Sequence, residues 1–289
     1  MFTIFSLPKA FKGIFKTVQE NAVLSWNNLK PSPDIILFGS DEGTKEFAES
    51  HGFGHLPNIK LMEIGTPIIS DLFYQAAENT SNPYMCFVNS DVILSPNVLE
   101  LAKKVLLEHP NSLLISRRWD YDLNDPIDFN DPSWFLELEE KVERDGELFA
   151  HCAIDLFIFP RDLYKKMPPL TIGFPGSKYD NWMIYYAKSK GLKVFDLTAA
   201  IKVIHQNHPA KSFSELSEEK ASEHMRSLRL VGGYGYCYDT LDADYKVLAD
   251  YSVQKNPKPK NYYRRKIVRQ AQRVVDLVRL KLPWVKMPR

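Results

Sequence analysis

The chain is short of cysteine, of long apolar runs and of the loops that mark common enzyme classes. Its 289 residues hold three cysteines, Cys86, Cys152 and Cys237, widely spaced. That is too few for a disulfide framework or a zinc ribbon, and it favours a reducing compartment. No stretch reaches the roughly 20 apolar residues of a membrane span. The start, Met1 to Lys9, has no basic segment ahead of its short apolar run, so it does not read as a secretory leader. The expectation is a cytoplasmic protein whose membrane contact, where there is any, is peripheral and on the inner face. There is no HExxH and no paired cysteine, which argues against a zinc hydrolase. The first apolar stretch is followed by Ser6-Leu-Pro-Lys-Ala-Phe-Lys-Gly13 rather than by a glycine-rich phosphate loop, which argues against a sugar-phosphate nucleotidylyltransferase.

The chain also lacks an excess of one charge. The formal net charge is +1, so the protein as a whole is not built to bind nucleic acid. The distribution is uneven, however. Residues 253–289 carry 12 bases and one acid, Asp276, which leaves 25 bases and 35 acids on the first 252 residues. A basic tail on an acidic body calls for a partner or for self-docking.

What is present is an alternation. Met1 to Leu7 is β-prone, and Phe11 to Leu29 has apolar residues near helical spacing. Asp34 to Phe38 and Tyr84 to Val88 are short apolar runs of the buried-strand type, as is Leu113 to Ile115. Helices are expected at Thr44 to Ser50, from Ser70 or Asp71 to Asn79, and from Pro96 to His109, with a short strand near His55. Such alternation predicts an α/β fold with a mostly parallel sheet and helices on both faces, and ligands outside the C-terminal strand ends. The polar clusters Ser40–Glu42, Asn89–Asp91 and Arg117–Asp120 fall at such ends. Further on, Ala150 to Phe159 is apolar except for Asp155, a helix is expected over Trp182 to Lys190, and Leu192 to Phe195 and Ala200 to Ile204 read as strands. Glu215 to Leu228 reads as an acid-rich helix, Gly232-Gly-Tyr-Gly235 as a break, and the region beyond Pro257 as a linker and a basic helix.

Four features carry chemistry. Asn89-Ser90-Asp91 places an acid directly after a buried strand, where it suits a hard divalent cation and a ligand's phosphates; a plain turn is the alternative. His205-Gln-Asn-His208 offers imidazoles to a metal, or else is a polar loop. Asp180, before Asn181 and Trp182, fits a helix N-cap or a general base that accepts a proton from a hydroxyl. Asp155, inside an apolar run, needs a ligand or a partner such as Arg161.

Taken in order, these features resemble nucleotide-sugar glycosyltransferases of the GT-A type. More narrowly, FGSDEGT, GTPIISDLF, FVNSDVIL, DLFIFPR, DNWM, HQNH and LVGGYGYCYDTLDAD resemble one bacterial subgroup of that superfamily, over about residues 1 to 248. The resemblance implies a Rossmann-like GT-A domain over 1–210, with a nucleotide-binding half (1–115) and an acceptor-binding half (116–210). A helical segment (211–252) and a basic amphipathic tail (253–289) follow. It implies a sugar transferred from a nucleotide-diphosphate sugar, most simply a UDP-sugar, to an acceptor hydroxyl, with Mn²⁺ or Mg²⁺ as cofactor; a basic tail in contact with a membrane would suit a glycan or lipid-linked acceptor in envelope or cell-surface glycan synthesis. Asp91, His205 and His208 match the metal ligands. Thr3, Pro8, Asp41, Asp71, Asn89, Ser90 and Asp91 match the nucleotide site, Asp180 the catalytic base, and Asp155 an acceptor contact. The family's first metal-site acid is replaced by Asn89, which leaves a degenerate, non-catalytic nucleotide-sugar-binding module as the alternative.

In the tail, Ile267, Ala271, Val274 and Val278 form one apolar stripe, with Val275 and Leu282 beside it, bases over most of the remainder and Trp284 beyond. This pattern over 261–284 suits a helix lying on an anionic membrane; the alternative is a helix docked on the protein's own acidic body.

Overall fold

The structure, a computed structural model, describes residues 1–171, 178–209 and 217–281. The first half runs β1 (Phe2–Ser6), α1 (Ile14–Asn27), β2 (Asp34–Phe38), α2 (Thr44–His51), β3 (Gly54–Leu56), α3 (Ile69–Glu78), β4 (Tyr84–Val88), β5 (Val92–Leu94), α4 (Val98–Glu108) and β6 (Ser112–Arg117). Then come β7 (Trp119–Tyr121), α5 (Trp134–Asp145), β8 (Glu147–Leu148), β9 (Ile154–Pro160), α6 (Tyr179–Ser189), β10 (Lys193–Asp196) and β11 (Val203–Gln206). The chain continues through α7 (Glu218–Leu230), β12 (Tyr245–Val247), β13 (Val253–Lys255) and α8 (Tyr262–Lys281).

Strands alternate side chains between faces, and in this sheet both faces are apolar. In β4, Cys86 and Val88 join a core with Trp26, Val98 and Leu101 beneath α1 and α4. Met85 and Phe87 join a second core with Leu72, Phe73, Met183 and Leu228 beneath α3, α6 and α7. The main sheet has the order β13-β12-β10-β6-β9-β4-β1-β2-β3. β3, β2, β1 and β4 run parallel to one another, as do β6, β10 and β12, while β9 runs antiparallel between β4 and β6, and β13 runs antiparallel beside β12. The expected mostly parallel sheet with helices on both faces is therefore present.

A second sheet, β5-β11-β7-β8, sits where β4 and β6 end. Ile93 and Ile204 pack there against Leu138 and Val142 of α5. Neither α5 nor the β7–β8 pair is anticipated by the sequence reading, because strands of two or three residues carry too little pattern. Several boundaries also move. α3 begins at Ile69, so neither Ser70 nor Asp71 caps it. α4 begins at Val98 rather than at Pro96. α6 begins at Tyr179, which puts Asp180 in its first turn rather than at its cap. β11 extends through Gln206, which makes His205 a strand residue. α7 is capped by the hydroxyl of Ser217, and the earlier part of its expected span, 215 and 216, lies outside the described residues.

The basic helix α8 lies on the body. Arg269 Nη1 bonds Asp242 Oδ1 at 2.7 Å, Arg265 pairs with Asp239, and Arg273 Nε donates to the Gly235 carbonyl at 2.8 Å. The backbones approach closely because of two glycines. Gly233 has φ +96°, and a Cβ there would overlap the Asp276 carboxylate. One at Gly235 would lie 2.9 Å from the Arg273 backbone nitrogen. No described helix is long and apolar enough to cross a membrane. Gly235→Ala should lift α8, because the contact is with backbone that cannot yield, at a local cost of about 1–3 kcal/mol for overpacking. Faster amide exchange across 262–278, with β1 and β4 unchanged, is the expected readout; unchanged protection of α8 would refute the glycine seat.

Candidate functional site

The site is assembled by strand register. β11 pairs with β5 so that His205 lies opposite Val92, and with β7 so that His205 lies opposite Asp120. The Gln206 N–H donates to the Asp91 carbonyl at 3.1 Å, which ties the strand to the acidic turn after β4. The turn is also held from below by buried amides. Ser90 Oγ donates to Gln19 Oε1 at 3.0 Å, and Asn21 Nδ2 to Gln206 Oε1 at 3.0 Å. The Trp26 indole donates to the Val92 carbonyl at 2.8 Å. Helix α1 thus fixes both halves of the site.

Asp91 Oδ2 lies 3.0 Å from His208 Nε2 and 3.8 Å from His205 Nε2. One ligand atom from each of the three residues falls within 4.8 Å of the others. Asp91 Oδ1 is buried and has no hydrogen-bond partner among the described residues. One carboxylate with an unused oxygen and two imidazoles form a donor set that fits a divalent cation. Behind them, His205 Nδ1 lies 3.1 Å from Asp120 Oδ1, and Arg118 Nε lies 2.8 Å from the same oxygen, as ion pairs without hydrogen-bond alignment. A carboxylate beside the far nitrogen of an imidazole favours the proton there and leaves Nε2 toward Asp91.

Arg118 Nη1 also bonds Asp155 Oδ2 at 3.0 Å, and Asn89 Nδ2 donates to Asp155 Oδ1 at 3.1 Å. The partner of Asp155 is therefore Arg118 and not Arg161, whose Nη1 donates to the Thr80 carbonyl. Each Asp155 oxygen thus takes one bond from within the protein, which holds the carboxylate in place between Asn89 and Arg118. Arg118 and Asp120 received no role in the sequence reading beyond a polar cluster at a strand end. The signal was their place after β6, but their partners come from distant segments.

The charges follow from these contacts. Burial pushes Asp91 up, yet the bond from His208 and the charge of His205 outweigh it and hold the carboxyl below its usual value. Burial would lower His205, but Asp120 and Asp91 outweigh it and favour the imidazolium. Burial dominates at Asp155 and raises it, against the pull of Arg118. Asp180 is pushed up to about 6, mainly by burial, with the Asn181 N–H opposing and the Asp155 charge assisting.

A cleft of about 750 Å³ opens beside the acidic turn, with Pro8, Asp41, Asn89, Ser90, Asp91 and Tyr179 among its walls. Five of the residues expected at the nucleotide site are thus brought together. Two are not. Thr3 is fully buried at the opposite end of β1, where its hydroxyl bonds Thr80 Oγ1 at 2.7 Å and accepts from Asn82 Nδ2 at 2.9 Å. It is withdrawn from the site. Asp71 Oδ2 accepts from the Lys60 N–H at 2.9 Å and from Gln75 Nε2 at 2.6 Å. Asp71 therefore anchors the 57–67 loop that walls the cleft and is not itself among the cleft's lining residues. Asp180 follows Tyr179, whose ring packs on Phe87 with centroids 6.3 Å apart.

No family model and no curated protein matches the chain. Solved structures do. Residues 1–349 of TarS from S. aureus, in complex with UDP-GlcNAc, superpose with a TM-score of 0.51 at 15% identity, over 84% of this chain and 67% of that one. The chain has a GT-A-type fold. Against the longer S. aureus TarS structure the TM-score is 0.50 at 13% identity, over 84% of this chain but only 40% of that one. A weaker likeness, TM-score 0.47 at 14% identity over 90% and 88% of the two chains, is to glucosyl-3-phosphoglycerate synthase from Mycobacterium tuberculosis with Mg²⁺ and UDP. At such identities the GT-A-type likeness is one of fold. Within it, the turn after β4 carries Asn89 and Asp91, and β11 brings the histidines to it.

Asp180 yields a stability test. Its folded pKa of about 6 lies above the 3.8 of an ordinary carboxyl, so its ionised form destabilises the fold above pH 6 and the penalty fades as pH falls. Asp180→Asn should stabilise the protein on the order of 1–3 kcal/mol at pH 8, and the gain should vanish below about pH 4. Urea titrations at both pH values measure it; an equal effect at both would contradict the buried-carboxylate account.

Proposed function

We propose that the protein transfers a sugar from a UDP-sugar to the hydroxyl of a glycan or lipid-linked acceptor in envelope glycan synthesis. Asp91, His205 and His208 would hold Mn²⁺ or Mg²⁺. The observation that carries this reading is the meeting of Asp91 with two histidines beside a cleft at the C-terminal end of β4. A cation bound there supplies positive charge against the diphosphate that departs from the sugar. Pro8 and Asp41 line the part of the cleft suited to a nucleoside, and Lys9, on the same wall, adds a positive charge felt at Asp91. Asp180, with a pKa of about 6, is ionised at neutral pH yet basic enough to take the proton of an attacking hydroxyl. TarS, solved with UDP-GlcNAc, supports a UDP-linked donor.

Asp91→Ala should weaken Mn²⁺-dependent UDP binding at least tenfold, on the scale of a lost charge-assisted contact of about 1.5–3 kcal/mol. Calorimetric titration with and without Mn²⁺ measures it, and unchanged affinity would take Asp91 out of the site. The non-catalytic alternative draws on Asn89. It predicts metal-dependent UDP binding without sugar release or transfer from any UDP-sugar.

We further propose that α8 rests on an anionic membrane. It docks to the body through its charged face and turns its apolar stripe outward: Ile267 is 69% and Val274 63% exposed, with Tyr263 and Val278 on the same side. An exposed apolar stripe flanked by bases suits a headgroup layer. Leu282 and Trp284 lie outside the described residues. Ile267→Asp with Val274→Asp should lower binding to phosphatidylglycerol-containing vesicles about tenfold or more. Because both side chains are mostly exposed, UDP binding should persist; vesicle binding equal to the unsubstituted protein would end the membrane proposal.

A further inference from the structure

We infer that the cleft between the first turn of α6 and the flank of α8 binds the phosphate group of an acceptor. This rests on the transferase reading above and narrows its acceptor to a phosphate-bearing one. The cleft has a volume of about 520 Å³, within the range of small-molecule sites. Lys178 and Asn181, which flank Asp180 in sequence, form one wall, and Arg264, Arg265 and Arg269 of α8 form the other. Asp239 is the one carboxylate among the lining residues, so four cationic side chains face one acid.

Docking explains only part of this charge. Arg265 is matched by Asp239, and Arg269 by Asp242 at 2.7 Å. Lys178 and Arg264 make no ion pair among the described residues, and both border the opening. Lys178 is moreover held with φ +61°, in the left-handed region that a residue with a side chain adopts only when its surroundings impose it. The two walls are also tied together. Tyr238 donates its N–H to the Asn181 carbonyl at 2.9 Å, and the Arg269 guanidinium lies 4.5 Å from the centre of the Tyr238 ring. The arginines of α8 are thereby fixed relative to Asp180. Two cations without ion-pair partners, in a cleft walled by the helix turn that carries Asp180, suit a ligand with a phosphate for the cations and a hydroxyl for that acid.

The test uses the full chain, with the donor cleft filled by UDP and Mn²⁺. Glucose 1-phosphate and glucose are titrated calorimetrically into the unsubstituted protein and into Lys178→Glu, Arg264→Gln and the double variant. The expected result is binding of glucose 1-phosphate at least tenfold tighter than glucose, weakened at least fivefold by each substitution and abolished in the double variant, with UDP affinity unchanged throughout. Equal affinity for the two sugars, or full phosphate affinity in a folded double variant, overturns the inference. Loss of UDP binding in the unsubstituted protein would instead strike the transferase reading, and phosphate binding sensitive to Lys178 and Arg264 would still uphold the cleft. Vesicles of phosphatidylcholine with phosphatidic acid distinguish the sources. Competition with glucose 1-phosphate identifies a lipid phosphate, and its absence a soluble one.

Discussion

Charged groups leave water only in company, and one closed chain of them organises this protein. It runs from Asn89 to Asp155, Arg118, Asp120, His205 and back to Asp91, two residues from where it began. It joins four segments far apart in sequence: the turn after β4, the β6–β7 junction, the start of β9 and strand β11. A buried ion pair is weak evidence for stability, but removing one member is costly because it strands the other. Arg118 is the point most sensitive to this, since it answers two carboxylates at once. The second sheet has the same purpose: its short strands set the register that brings His205 between Asp120 and Asp91.

How far the sequence could be read follows from these distances. The apolar runs of β1, β2, β4 and β6 are buried on both faces, so their composition alone announces a covered sheet. Strand polarity then indicates that ligands sit at the ends holding Pro8, Asp41 and Asp91. The same rule speaks against Thr3, which stands at the start of β1. What could not be read is pairing. Asp155 and Arg118 are both visible as charges beside apolar runs, but nothing local says that they meet, and Arg161 is nearer in sequence. The reversal of β9 is equally silent, because an apolar strand looks the same in either direction.

Helix α8 shows a different limit. Helical periodicity gives a stripe of Ile267, Ala271, Val274 and Val278, and the usual inference would turn that stripe toward a core. The structure turns it outward. The determinants lie elsewhere in the chain: Asp239 and Asp242 attract the arginines, and Gly233 and Gly235 remove the side chains that would hold the helix away. A helix that spends its charges on its own protein and leaves its apolar face free is amphipathic toward a second surface.

The same chain of charges accounts for Asn89. In the resembled enzymes an acid stands at this position, and its replacement looks like decay. Here the Asn89 amide is a donor to Asp155, 3.1 Å away, and Asp155 is already raised by burial despite Arg118. An aspartate at 89 would set a second carboxylate against the first, and two carboxylates that close cannot both remain ionised. One would be protonated, or Arg118 would be drawn toward the pair and away from Asp120, which would leave Asp120 with His205 alone. An uncharged donor at 89 is what the Arg118 pairing leaves room for. The Asn89 amide therefore supports the geometry around Asp91 through its bond to Asp155 and the Arg118 pairing behind it.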